Sequence, residues 1–137
     1  MRDLENLTSW HSDWSGLRVA VLGLAFKPDS DDIRDSPALD IAVQLNGLGA
    51  HITATDPHAI PNAQAKHPQL NFADSLAETV KDADIVLLLT EWEQYRQMLP
   101  AELTHLVASK KIIDGRNVLD STTWRNAGWE FRSMGRP

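Results

Sequence analysis

Short apolar runs alternate with helical stripes along most of this chain. Val19-Ala20-Val21-Leu22 is an apolar run that ends at Gly23, and it predicts a strand from Arg18 to Leu24. After Pro37, the residues Ala38, Ile41, Ala42, Leu45 and Leu48 fall on one stripe of 3.6-residue period, which predicts a helix. Ser36 is placed to cap its first amides, and Pro37 suits the first helical position because no donor is needed there. Gly47 and Gly49 end it. A second strand, His51 to Thr55, stops at Asp56-Pro57. A loop rich in Pro, Ala and Asn then runs to about Gln69, before a short strand at Leu70–Phe72. Asp74 is read as the cap of a helix over Leu76–Lys81.

The run from Asp84 to Thr90 is the most apolar in the chain and predicts a central parallel strand covered on both faces. Thr90-Glu-Trp-Glu93 has the spacing of a capping box, so a helix carrying Tyr95 and Met98 is expected directly after it. Pro100 opens a second helical piece, Ala101 to Ala108. Lys111–Asp114 is the next strand, closed by Gly115. Asp120 or Ser121 caps a helix that contains Trp124 and ends at Gly128, and Trp129–Ser133 is a last short strand. This alternation predicts an α/β domain: a three-layer, Rossmann-like parallel sheet of five to six strands, with helices on both faces.

Residues 1–16 stand outside that pattern, so the chain divides into an N-terminal segment, 1–16, and one domain, 17–137. Leu4, Leu7, Trp10 and Trp14 recur at intervals of 3, 3 and 4, one stripe of a short helix. Two readings stand. The stripe is a surface for self-association or for another polypeptide, or it folds back over an apolar edge of its own domain.

The 137-residue length fits one domain with a real core. A net charge of −6 argues against nucleic acid as a partner, because phosphate neutralisation needs a basic face. No stretch approaches a membrane span and no signal-peptide core is visible, so a cytoplasmic location is expected. The absence of cysteine removes disulfides, thiolate metal sites and a thiol nucleophile.

In an open parallel sheet, ligands lie beyond the carboxyl ends of the strands. The loops leaving those ends carry Lys27, Arg34, Asp56, Glu91, Trp92, Arg116 and Asn117. The first loop is not a dinucleotide fingerprint, which needs three spaced glycines; only Gly23 is present. Asp56 stands where a ribose-binding acid would, but an Asp-Pro turn explains it better. Lys27 and Arg34 share their loop with Asp29, Asp31, Asp32 and Asp35. They bind a phosphate, or they pair with these acids on a solvated surface. No metal-ligand spacing emerges, and no metal site is expected.

Together these residues are more specific than any single motif. Gly23-Leu-Ala-Phe-Lys-Pro-Asp-Ser-Asp-Asp-Ile-Arg-Asp-Ser-Pro-Ala-Leu-Asp40 resembles the opening of the C-terminal domain of UDP-glucose/GDP-mannose dehydrogenases. So do Gly49-Ala50 with Thr55-Asp-Pro57, Ala83-Asp84 through Thr90-Glu-Trp92, and Asp114-Gly-Arg-Asn-Val-Leu-Asp120. The closing Gly128-Trp129 and Gly135-Arg136-Pro137 match as well. The likeness is greatest to the UDP-glucose 6-dehydrogenase type. It implies a UDP-sugar-binding domain of an NAD-dependent oxidoreductase that takes a sugar alcohol to the acid. It also implies that Phe26, Lys27 and Arg116 contact the UDP-sugar, and that Arg34 reaches toward the NAD pyrophosphate. NAD would be bound mainly by a domain missing from this chain, on a separate NAD-binding and central-domain polypeptide. The family's nucleophilic cysteine has no counterpart here, so no catalytic residue is assigned and the chain alone is expected to be inactive. The alternative is a stand-alone nucleotide or nucleotide-sugar binding module with a regulatory role.

Overall fold

The computed structural model describes residues 13–25 and 36–133. Six strands form one sheet: β1 (Arg18–Leu22), β2 (His51–Thr55), β3 (Asn71–Phe72), β4 (Ile85–Leu88), β5 (Lys111–Asp114) and β6 (Glu130–Ser133). Their order is β3-β2-β1-β4-β5-β6, and every neighbouring pair is parallel. The connections are α1 (Pro37–Gly47), α2 (Ile60–Lys66), α3 (Leu76–Val80), α4 (Glu93–Arg96), α5 (Pro100–Leu103) and α6 (Ser121–Asn126). The three-layer α/β architecture is therefore as the pattern predicts.

Side-chain alternation along the strands divides the core into two layers. Val19, Val21, Ile52, Ala54, Ile85, Leu87 and Ile113 meet α1 and α2 on one face. Ala20, Leu22, Val86, Leu88 and Ile112 meet α3 to α6 on the other. The four residues of β4 are buried because helices cover the sheet on both sides of it. On the second face, Trp124 and Trp129 pack edge to face with ring centroids 4.9 Å apart, closing the end of the sheet under α6.

Several elements depart from the expectations. Residues 60–66 form α2, not loop; only Ala63 of this helix is buried, so it has no apolar stripe to reveal it. Ser75, not Asp74, caps α3, its hydroxyl accepting from the Glu78 amide at 3.1 Å. Thr90 is no cap: α4 begins after Trp92 with no side-chain hydrogen bond. The helix after Pro100 stops at Leu103, and Met98 is buried just past the end of α4. Leu48 is 48% exposed at the end of α1 and does not join the buried stripe.

The structure decides between the two readings of the N-terminal stripe at its one described position. Trp14 is 2% exposed and packs in the core layer of α1 and α2. The Gly16 amide donates to the Gly49 carbonyl at 3.0 Å, tying this segment to the end of α1. A side chain spent on its own core is not available for self-association, so residue 14 follows the fold-back reading. Leu4, Leu7 and Trp10 lie outside the described residues.

Candidate functional site

The sheet order reverses between β1 and β4, and the crevice beyond their carboxyl ends is where such sheets hold ligands. Gly23 leaves β1 at φ +102°, and a Cβ there would overlap the Thr90 side chain at Oγ1. Glycine is required twice over, by the backbone and by the Thr90 side chain pressed against it. Gly23 thus packs two loops together, which is a different task from opening a backbone cradle for a pyrophosphate.

Two buried aspartates build the loops. Asp56, at the end of β2, is 4% exposed. Its Oδ2 accepts the Leu24 and Ala25 amides at 2.7 and 3.0 Å, and its Oδ1 accepts those of His58 and Ala59, both at 2.9 Å. Asp114, at the end of β5, is fully buried. Its Oδ1 accepts the Arg116 amide at 2.9 Å, and its Oδ2 accepts those of Val118 and Leu119 at 2.8 Å. Charge-assisted bonds to backbone amides are among the stronger ones available, and each carboxylate spends its capacity on them. Sequence reasoning reached Asp56 as a turn former and took Asp114 only as the end of a strand. The shared signal is an acid at the carboxyl end of a strand.

Ser36 does two jobs. Its hydroxyl accepts from the Leu39 amide at 3.1 Å, capping α1, and donates to the Leu24 carbonyl at 2.7 Å. The capping role was legible in Ser36-Pro37. The second bond was not: it ties together the two ends of the loop that carries Phe26, Lys27 and Arg34. Those three residues lie outside the described residues, so the structure fixes where their loop leaves and returns and nothing more.

Arg116 stands on the loop that Asp114 shapes. Its side chain is 44% exposed, and its Nε lies 3.9 Å from Oε1 of Glu91, which follows β4. Next to it Asn117 adopts φ +59°, a left-handed conformation that asparagine tolerates. Arg116, Glu91 and Asn117 are therefore gathered at the carboxyl ends of β4 and β5, as expected. Trp92 is buried, and its ring lies 5.0 Å from that of His58, tilted by 49°. His58 follows β2 and Trp92 follows β4, so this contact bridges over the end of β1, the strand between them. Burial and the negative charge of Asp56 both raise the Tyr95 phenol above its ordinary pKa.

This arrangement does not fit a dinucleotide laid along β1. The place above that strand is crossed by Trp92 and His58, the single glycine is packed by Thr90, and Asp56 has no oxygen left for a ribose diol. Among the described residues no group of three or more His, Asp or Glu could hold a metal, and no helix is long and apolar enough to cross a membrane.

Comparison with known proteins points the same way. Residues 20–121 match the UDP-glucose/GDP-mannose dehydrogenase family, UDP binding domain. The chain is 41% identical over 123 residues to UDP-glucose 6-dehydrogenase TuaD of Bacillus subtilis, covering 89% of this chain and 27% of that protein. It is 35% identical over 125 residues to UDP-glucose 6-dehydrogenase of Rickettsia conorii, covering 90% and 29%. The NDP-N-acetyl-D-galactosaminuronic acid dehydrogenase of Methanosarcina mazei superposes with a TM-score of 0.82 at 28% identity, over 98% of this chain and 29% of that one. The chain spans less than a third of the length of these relatives. A lone glycine beyond β1, an arginine held by a buried aspartate beyond β5 and a match over three quarters of the chain agree: the chain belongs to the UDP-glucose/GDP-mannose dehydrogenase family, as its UDP-binding domain.

Proposed function

We propose that this chain supplies the UDP-sugar-binding surface of an NAD-dependent oxidoreductase of the UDP-glucose 6-dehydrogenase type. The observation that carries this reading is Arg116 at the carboxyl end of β5, on a loop fixed by three amide bonds to Asp114. A guanidinium so placed donates to a diphosphate in a fork geometry that a lysine cannot reproduce. Its pair with Glu91 is solvent-exposed on both sides and is worth only about 0–1 kcal/mol, so an incoming phosphate displaces it at little cost.

Lys27 supplies a second cation to the phosphates, Phe26 packs against the nucleotide, and Arg34 reaches toward the NAD pyrophosphate. NAD accepts hydride from the sugar alcohol when bound to another part of the enzyme. This chain's part is to bind and orient the nucleotide sugar. It offers no cysteine for a covalent intermediate, and alone it turns over no substrate.

Titration calorimetry with UDP-glucose tests this. One half of a cleft gives a dissociation constant on the order of 1 mM. Lys27→Ala and Arg116→Ala should each weaken binding about 10-fold or more, since a hydrogen bond between charged groups contributes about 1.5–3 kcal/mol. Equal affinity in wild type and both variants would remove these residues from the site. NADH formation by the pure chain with UDP-glucose would overturn the claim that it is inactive alone.

A further inference from the structure

A second cleft lies at the same edge of the sheet, beyond β2 and β3 and away from Arg116. It holds about 300 Å³, at the lower end of the range for small-molecule sites. Its floor is Thr55, Asp56 and Tyr95, and its rim includes His58, Asp74 and Gln94. Nothing in the function proposed above uses it.

Thr55 is 5% exposed and Tyr95 1% exposed. Both line the cleft, and neither hydroxyl makes a hydrogen bond within the described residues. Both oxygens are reached from the cleft, so water or a ligand in it supplies their partner. Even residues of β2 face α1 and α2, so Thr55 points to the opposite side, where α3 and α4 wall the cleft. The two free hydroxyls therefore look into one space.

The polar groups around that space select among ligands. Among the described residues no lysine or arginine lines it, while Asp56 and Asp74 both do, and their charge disfavours a phosphate or carboxylate. Asp56 is saturated by four backbone amides and contributes charge without accepting capacity. Asp74 is left as the strong acceptor. Thr55 and Tyr95 both donate and accept, since a phenol is protonated through the neutral range. Ile60 and Leu76 add apolar wall on which C–H groups can pack. An uncharged ring bearing several hydroxyls satisfies all of these at once.

The geometry points to a second binding site, in which Thr55, Tyr95 and Asp74 hold the hydroxyls of an uncharged sugar ring. Such a ring comes from a free sugar or from the ribose of an unphosphorylated nucleoside. The site is separate from Arg116 and does not depend on the function proposed above.

The test is an amide NMR titration of the 137-residue chain with glucose, xylose or uridine. The expected result is saturable shifts at Thr55, Asp56, Asp74 and Tyr95, with none at residues 115–119. Saturation by glucose or xylose identifies a free-sugar site; saturation by uridine alone identifies a nucleoside site. Thr55→Val and Tyr95→Phe remove one hydroxyl each with little change of volume. Each should weaken binding by about 5-fold, the effect of one net hydrogen bond. Arg116→Ala should leave the affinity unchanged. Tyr95→Phe loses no protein hydrogen bond, so the variant folds and its titration is interpretable. Absence of saturable shifts with all three compounds, shifts confined to residues 115–119, or unchanged affinity in both hydroxyl variants would overturn the proposal.

Discussion

Asp114→Asn asks whether the β5 carboxylate builds the Arg116 loop. Asp114 is fully buried and accepts three backbone amides on two oxygens. Asparagine keeps one oxygen. Its best orientation leaves that oxygen on Val118 and Leu119 and turns the amide group toward the N–H of Arg116. One bond is then lost, and two donors face each other. A bond to a charged group contributes about 1.5–3 kcal/mol, and a stranded buried donor costs about 1–3 kcal/mol. The two surviving bonds also lose their charge assistance. Together these give an expected loss of about 3–5 kcal/mol, a large share of the 5–15 kcal/mol that holds a domain folded. Urea denaturation measures it directly, and calorimetry with UDP-glucose measures its effect on the loop. Arg116→Ala is the control: it should lose binding while staying within about 0.5 kcal/mol of wild-type stability, as exposed positions do. If Asp114→Asn also unfolds within about 0.5 kcal/mol of wild type, the carboxylate does not hold the loop and the reasoning fails.

Three further outcomes follow from the packing. Gly23→Ala should cost about 2–5 kcal/mol, from a left-handed backbone and a Cβ forced onto Thr90; Thr90→Gly in the same chain should recover part of it, read as coupling in a double-mutant cycle of urea midpoints. Trp14→Ala should cost about 3–5 kcal/mol by the same assay, whereas a Trp14 that served only a partner surface would cost almost nothing. Tyr95 is the only tyrosine, so phenolate absorbance reports it alone. Its raised pKa means that the folded chain keeps the proton when the unfolded chain, near 10.0, has released it. Stability is then unaffected at neutral pH and falls above pH 10 by about 1.4 kcal/mol per unit. Ionisation of the folded chain with a midpoint near 10 would contradict the burial.

The fold was legible because its strongest signals are local. Ser36-Pro37 and the stripe after it mark α1, and Asp120 marks α6, because a cap and a 3.6-residue period reside in one short window. The strands β2 and β5 have the bounds read from the sequence, His51–Thr55 and Lys111–Asp114, each closed by a turn signal, Asp56-Pro57 and Gly115. What failed was also local in cause. The helix α2 buries only Ala63, so no periodicity betrays it. Thr90-Glu-Trp-Glu93 matches a capping box in sequence, but the chain leaves β4 with the Thr90 side chain against Gly23, and α4 starts only at Glu93.

The site was legible in part. Arg116, Glu91 and Asn117 were found because strand ends predict where ligand loops are. The tethers were missed because they join residues far apart in sequence: Asp56 to Leu24 and Ala25, and Ser36 to Leu24. A single sequence carries no record of such pairs. The cleft at Thr55 and Tyr95 was missed for the same reason, since 40 positions separate two hydroxyls that face one space.

The central claim is that this chain binds UDP at the carboxyl ends of β1, β4 and β5. Amide NMR of the chain titrated with UDP tests it most directly. The account predicts saturable shifts in residues 23–36, 90–92 and 115–119, lost in Arg116→Ala. No saturable shift, or shifts gathered at the opposite edge around Arg18, Lys81 and Lys110, would contradict it.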